Sequence, residues 1–287
     1  MNNNNLQKAD NKHLINFFEL WEKSWQIYHN KLWILLGIEF VYLLLAIIFS
    51  QLYIYLTSIK ALGLTIYWIF VLEFCVWFVV GNFIKTCLIF AIAAHDSRKS
   101  FKELCQLSKE KFLSVTWVTF LQLTAIIGGL LIFFVPAIIL AVGFSIVSFV
   151  VIFENLKGSD ALIKSWNYVK LHWFQVFLLF LAICLIYLLV SVFIFLILTL
   201  AVPKTILFSD LFLNVYILIS FLLFSPYLII YSYYLYQDIK EKKSEEAVSS
   251  DKQLEKRQRI IFNCLSVIGL GLIIAALIAP FLQLKRF

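Results

Sequence analysis

Residues 173–202 have the sequence WFQVFLLFLAICLIYLLVSVFIFLILTLAV, an apolar run that contains no charged side chain. An α-helix needs about 20 consecutive apolar residues to cross the hydrocarbon core of a bilayer. Transmembrane β-strands would instead alternate polar and apolar residues over segments of about 10 residues. The unbroken run therefore predicts a transmembrane α-helix, and it decides the fold class of the chain.

The composition of the whole chain supports the same class. Of the 287 residues, 62% are hydrophobic and 14% are charged, whereas soluble domains carry roughly 25% charged residues. There are only 9 Gly and 4 Pro residues to interrupt helices. The sequence therefore predicts an all-α membrane protein.

Seven apolar runs follow one another along the chain. They occupy residues 32–58, 62–94, 115–135, 136–153, 173–202, 211–236 and 260–279. The third and fourth runs are divided at Pro136, because together they are too long for one crossing at about 1.5 Å per residue. We expect a polytopic helix bundle with four parts, which are the N-terminal segment 1–31, a six-span core 32–238, a charged linker 239–259 and a seventh span in 260–287.

The distribution of Lys and Arg predicts the orientation of the bundle. Segments 1–31, 95–113, 154–172 and 237–259 contain 4, 5, 3 and 7 of these residues. The opposite side carries only Lys60, Lys204, Lys285 and Arg286. Because cytoplasmic loops are enriched in Lys and Arg, we predict a cytoplasmic N-terminus.

Three of the basic segments have the pattern of amphipathic helices that lie in the membrane interface, at 14–30, 98–113 and 159–172. Each places aromatic or aliphatic residues on one face and Lys on the other. The candidate interface residues are Trp25, Lys102, Lys109, Lys164, Ser165, Trp166, Lys170 and Trp173. Two interpretations remain open, since these helices could bind lipid headgroups or could only brace the bundle.

A short internal repeat connects the first and third of these helices. Lys23-Ser24-Trp25 recurs as Lys164-Ser165-Trp166 after 141 residues. The pattern predicts a repeating unit of interfacial helix, span, outer turn and span, present three times with one added span.

Ionisable residues inside spans are costly and often functional. The candidates are Glu39, Glu73, Asn82 and Lys85, with Glu154 at the end of the fourth run. We predict that Glu39 pairs with Lys85 and that Glu154 pairs with Lys164. The alternative is a polar track for an ion or a headgroup.

No motif for catalysis or for a bound metal is present. The sequence lacks HExxH, GxSxG and a Gly-rich phosphate loop, and its five Cys residues form no CxxC motif. The net charge of +7 comes from short loops between apolar runs, which does not indicate nucleic-acid binding. We expect no enzyme activity, no cofactor and no metal.

One stretch resembles a known family. Its residues are Pro136, Val151-Ile152-Phe153-Glu154, Gly158, Asp160-Ala161-Leu162, Lys164-Ser165-Trp166 and Trp173, followed later by Pro226 and Leu235-Tyr236-Gln237-Asp238. They resemble the membrane domain attached to some bacterial glycerophosphodiester phosphodiesterases and related stand-alone bacterial membrane proteins. The resemblance covers residues 17–240. It implies a membrane module in a bacterial cytoplasmic membrane, and it does not imply phosphodiesterase activity because the soluble domain has no counterpart here.

The sequence thus predicts a non-enzymatic, multi-pass membrane protein that binds membrane lipids or other membrane proteins. The alternative is a transporter or channel for a small or amphiphilic solute, which would use Glu39, Glu73 and Lys85. These alternatives differ in whether those three residues line one continuous polar cavity.

Overall fold

The computed structural model of the chain describes residues 14–58, 63–94, 101–201, 203, 210–245 and 252–284. Within these ranges the chain forms α-helices and one 3-10 turn, and it forms no β-strand. The helices are α1 (Phe17–Ser58), α2 (Gly63–Ala93), α3 (Phe101–Ile132), α4 (Phe134–Gly143), α5 (Val147–Glu154), α6 (Gly158–Val169), α7 (Trp173–Ala201), α8 (Asp210–Glu245) and α9 (Lys252–Leu284). The 3-10 turn Lys170–His172 joins α6 to α7.

Seven segments of the described chain are long and apolar enough to cross a membrane. They are Phe17–Phe49, Tyr67–Ala93, Lys102–Ile132, Phe134–Glu154, Gly158–Leu200, Ile219–Lys242 and Gln253–Ala279. The all-α bundle predicted from the sequence is therefore confirmed, and the chain is a multi-pass membrane protein.

Two of the predicted interfacial helices are continuous with the spans that follow them. The segment 14–30 runs into α1, and the described part of 98–113 forms the first turns of α3. No Gly or Pro separates either pair, so the helical hydrogen bonds continue. Residues 98–100, and the predicted outer residues Lys60, Lys204, Lys285 and Arg286, lie outside the described ranges.

Two side-chain hydrogen bonds join α1 to α8. Tyr28 donates a hydrogen bond to the Leu223 carbonyl, and Glu39 accepts one from Ser225. The two contacts are 11 residues apart on α1 and two residues apart on α8, and together they fasten α1 to the middle of α8.

The fourth span consists of two short helices. α4 and α5 are separated by residues 144–146, and α3 is separated from α4 at Phe133. The sequence predicted the break between α3 and α4 at Pro136, which is three residues after its observed position at Phe133. Pro136 lies in the first turn of α4, where a missing backbone N–H is tolerated.

Burial is concentrated toward one end of the bundle, which we call the proximal end. It is the end at which α1 begins, α5 ends and α6 begins. Fully buried side chains there include Leu20, Leu88, Ile92, Phe149 and Leu162. Toward the opposite, distal end the helices expose large apolar residues, such as Leu189 and Leu200 on α7. Because that surface lies in the membrane-spanning part, it suits contact with lipid.

The seventh span, α9, runs from the proximal to the distal end. Near its start, Arg259 forms an ion pair with Asp160 of α6. Near its end, the Ala276 carbonyl accepts a hydrogen bond of 3.0 Å from Tyr67, at the start of α2. The contacts at both ends make α9 an integral part of the bundle.

Candidate functional site: a groove between α1 and α7

Two cavities lie between α1 and α7. The first has a volume of about 640 Å³ and is bordered by the start of each helix. Its lining residues are Leu14, Ile15, Asn16, Phe17, Gln175, Leu178, Leu179, Leu181, Ala182 and Leu185. Asn16 and Gln175 are the two polar residues in this set.

The second cavity continues along the same two helices toward the distal end. It has a volume of about 400 Å³ and its lining is rich in aromatic residues. The lining residues are Trp21, Trp25, Tyr28, Ile183, Ile186, Tyr187, Val190, Ser191, Ile194, Ser220, Leu223, Phe224 and Tyr227. The two cavities together form the α1–α7 groove.

Helix α8 contributes to the lining of the second cavity and contacts both walls through aromatic side chains. The Tyr187 and Phe224 rings stack with centroids 4.1 Å apart. On the other wall, the rings of Trp21 and Tyr227 are 5.2 Å apart. The hydroxyl of Tyr231 donates to a carbonyl of α7 over 3.2 Å. These contacts hold α1 and α7 against α8 and leave space between them.

The groove is open on its side. Trp25 is 51% exposed, and Leu185 and Val190 on the opposite wall are 49% and 51% exposed. These residues belong to two segments that are long and apolar enough to cross a membrane. The groove is thus an apolar, aromatic cleft with an opening on the side of the bundle.

Of the predicted interface residues, only Trp25 lines the groove. Lys102 and Lys109 are exposed on α3, and Lys170 is half-buried in the 3-10 turn. The Lys164 ammonium lies 5.1 Å from the centroid of the Tyr168 ring. The structure therefore does not bring the predicted lysines together with the cavities.

The remaining predicted interface residues fasten α6 to the bundle. Ser165 donates a 2.9 Å hydrogen bond to the Gly143 carbonyl, and Trp173 donates one of 3.1 Å to the Ile139 carbonyl. The Trp166 ring fills the space where a Cβ on Gly143 would stand. For this helix the contacts favour bracing, which was one of the two interpretations that the sequence left open.

The predicted Glu39–Lys85 ion pair is not formed. Glu39 is 2% exposed and accepts a 2.8 Å hydrogen bond from Ser225 of α8. Lys85 takes part in no ion pair within the described part of the chain. The two residues were placed at similar depth, but depth alone does not fix the faces that they occupy on α1 and α2.

The other intramembrane polar residues are satisfied within their own helix. Glu73 accepts a hydrogen bond of 3.2 Å from the Trp77 indole, and Asn82 donates one of 2.8 Å to the Phe78 carbonyl. None of Glu39, Glu73 and Lys85 lines either of the two cavities. These contacts stabilise the helices and do not form a polar path along the groove.

Glu154 has partners other than the predicted Lys164. Its carboxylate accepts hydrogen bonds of 2.9 Å from both Tyr168 and Tyr236. The ammonium of Lys240 lies 3.8 Å away. The predicted ion pair between Glu154 and Lys164 is not formed, because the Lys164 ammonium lies over the Tyr168 ring instead.

Apart from Trp25, the predicted site residues did not include the lining of the groove, and Gln175 and Tyr227 are two examples of lining residues that were missed. Gln175 had a signal, because it is a polar side chain near the start of a long apolar run. Tyr227 had none, since its contact with Trp21 depends on how α1 packs on α8. Within the described residues, no group of three or more His, Cys, Asp or Glu side chains is placed to hold a metal ion.

Comparison with known proteins adds no family to this description. No protein-family model, curated protein or solved structure matches the chain.

Proposed function

We propose that this protein is a non-enzymatic membrane module that holds a lipid molecule in the α1–α7 groove. The observation that carries the proposal is the pair of open-sided cavities between two spans. Their volumes of about 640 and 400 Å³ fall in the range of about 300–1,000 Å³ that is typical of small-molecule sites.

The lining of the groove favours an amphiphile over a small polar solute. Its second cavity is bordered by Trp, Tyr, Phe and aliphatic residues and contains no charged side chain. The alternative of a transporter or channel required Glu39, Glu73 and Lys85 to line one polar cavity. Their contacts give this alternative no support.

The setting of the module rests on the sequence. The excess of Lys and Arg at the proximal end supports a cytoplasmic N-terminus. The resemblance to the membrane domain of glycerophosphodiester phosphodiesterases supports a bacterial cytoplasmic membrane. With this orientation, the first cavity opens at the level of the cytoplasmic leaflet.

The test is to fill the groove. Ala182→Trp would occupy the first cavity and Ser220→Trp the second, while Leu189→Trp adds the same side chain at a lipid-exposed site of α7 outside both cavities. We expect native mass spectrometry to detect a lipid that resists detergent on the wild-type protein and on Leu189→Trp. The lipid should be lost from the two filled variants, each with a thermal midpoint close to that of the wild type. Retention of the lipid by both filled variants would refute the proposal.

A further inference from the structure

Two serine hydroxyls of the second cavity have no hydrogen-bond partner. Ser191 of α7 and Ser220 of α8 both line this cavity, and neither hydroxyl takes part in a hydrogen bond within the described part of the chain. Their oxygens are also not among the buried polar atoms that lack a partner. Both oxygens are therefore accessible to a bound molecule.

Other hydroxyls of the bundle are satisfied by their own helix. A Ser or Thr in a helix can donate to the carbonyl oxygen four residues earlier, and four residues do so here over 2.7 to 2.8 Å, namely Ser24, Thr86, Ser108 and Ser232. The core of a bilayer has no water that could replace such a partner. The hydroxyls of Ser191 and Ser220 are thus free donors that a ligand can use.

The two hydroxyls lie at the same level on facing helices. Three contacts show that α7 and α8 run in opposite directions, and they join Leu179 to Tyr231, Tyr187 to Phe224 and Ser191 to Tyr216. Ser191 follows Tyr187 by one helical turn and Ser220 precedes Phe224 by one turn, so both steps lead in the same direction. The serine pair therefore lies one turn beyond the stacked rings of Tyr187 and Phe224.

The surroundings of the pair favour an uncharged acceptor. Each serine hydroxyl can donate one hydrogen bond, and no charged side chain lines the second cavity. A diacyl glycerolipid carries two uncharged ester carbonyl oxygens, attached through neighbouring carbon atoms of its glycerol. Its acyl chains would contact the aliphatic lining residues Ile183, Ile186 and Val190. Two free donors and an apolar lining are thus complementary to the ester region of such a lipid.

We infer that the second cavity binds the two ester carbonyl groups of a diacyl glycerolipid, and that Ser191 and Ser220 are the donors that recognise them. The inference rests on the proposed lipid-binding function and names the part of the lipid that the groove recognises. An ether-linked lipid with the same headgroup and chains lacks both carbonyls. The groove should therefore discriminate between ester and ether linkages.

The experiment uses the full chain in nanodiscs that contain equal amounts of ester-linked and ether-linked diphytanoyl phosphatidylcholine. These lipids share the headgroup and the branched chains, and they differ only in the two carbonyl groups. Native mass spectrometry measures the ratio of the two lipids that remain tightly bound. We expect the wild type to prefer the ester-linked form by roughly fivefold for each hydrogen bond.

Variants separate carbonyl recognition from lipid binding as such. Ser191→Ala combined with Ser220→Ala should lose the preference and keep the total amount of bound lipid. Ser232→Ala is the matched control, because it removes a hydroxyl of α8 that donates to its own helix, and it should keep the preference. Equal binding of both lipids by the wild type, or an unchanged preference in the double variant, would overturn the inference.

Two further outcomes concern the identity of the occupant. Protein purified from cell membranes should carry a diacyl glycerolipid, and an isoprenoid quinone as its only tightly bound molecule would overturn this assignment. If the wild type binds both linkages equally and Ala182→Trp still removes the bound lipid, the proposed function survives while the inference fails. Absence of any tightly bound lipid from the wild type would overturn both.

Discussion

The Ser225 hydroxyl of α8 donates a hydrogen bond of 2.8 Å to the Glu39 carboxylate of α1. The carboxylate belongs to a residue that is only 2% exposed, and it lies in a membrane-spanning segment. This contact joins the first and sixth spans. It replaces the ion pair with Lys85 that the sequence suggested.

Double-mutant cycles distinguish the two partners of Glu39. We expect Glu39→Leu and Ser225→Ala to show a coupling of about 1 kcal/mol, which is typical of hydrogen bonds between transmembrane helices. Glu39→Leu and Lys85→Met should be additive, since the two residues do not pair. Unfolding in mixed micelles measures both cycles. A coupling with Lys85 larger than that with Ser225 would restore the ion pair.

Two glycines on α9 provide a matched test of how the seventh span packs. A Cβ at Gly269 would overlap the Thr124 carbonyl oxygen of α3, whereas one at Gly271 meets nothing within 4 Å. We expect Gly269→Ala to destabilise the protein by about 1–3 kcal/mol, because overpacking forces backbones apart. Gly271→Ala should be neutral or slightly stabilising. Thermal unfolding followed by size-exclusion chromatography measures both, and equal midpoints would contradict the close crossing.

The carboxylate of Glu154 provides a test of how α6 is fastened. Removing the hydroxyl in Tyr236→Phe takes away one of its hydrogen bonds, and we expect a loss of about 1.5 kcal/mol, as for hydrogen bonds to charged groups. Lys164→Met should cost less, about 0.5–1 kcal/mol, because Lys164 contacts the Tyr168 ring and is not a partner of Glu154. Equilibrium unfolding compares the two variants. A larger loss for Lys164→Met would reinstate the pair predicted from sequence.

The lysines at the interface predict an effect on lipids outside the groove. Neutralising Lys102, Lys109, Lys164 and Lys170 together should reduce the copurified anionic lipid, because each basic residue near an anionic surface contributes about 1 kcal/mol. The fold should remain intact, and the lipid held in the groove should remain bound. Native mass spectrometry counts both lipid pools. Unchanged anionic lipid would leave bracing as the only role of these segments.

The orientation of the bundle predicts a labelling pattern in sealed cells. In a background without the five native Cys residues, a Cys at Lys102 should resist an impermeant maleimide, and Cys at Lys60 or Lys204 should react. The reason is the excess of Lys and Arg in the segment that contains Lys102. Permeabilised cells provide the control, in which all three positions react. Labelling of Lys102→Cys in sealed cells would reverse the proposed topology.

The sequence by itself determined the class of the protein and the number of its spans. The run at 173–202 and six others are each long enough to cross a bilayer, and in lipid the backbone can satisfy its hydrogen bonds only within helices or closed barrels. The same physics operates on each segment separately, so no knowledge of the neighbours was needed. For this reason the existence of α1, α2, α7 and α9 followed from composition.

Tertiary structure alone decided which side chains meet and where the groove lies. Glu39 and Lys85 were expected at similar depth, but their rotation about α1 and α2 depends on packing against α8 and α3. Likewise, the α1–α7 groove depends on aromatic contacts between helices, such as that of Tyr187 of α7 with Phe224 of α8. Membrane helices gain little from the hydrophobic effect when they associate, so shape and interhelical hydrogen bonds set their arrangement. Such contacts join residues far apart in the chain, and they cannot be predicted from the apolar pattern of each span alone.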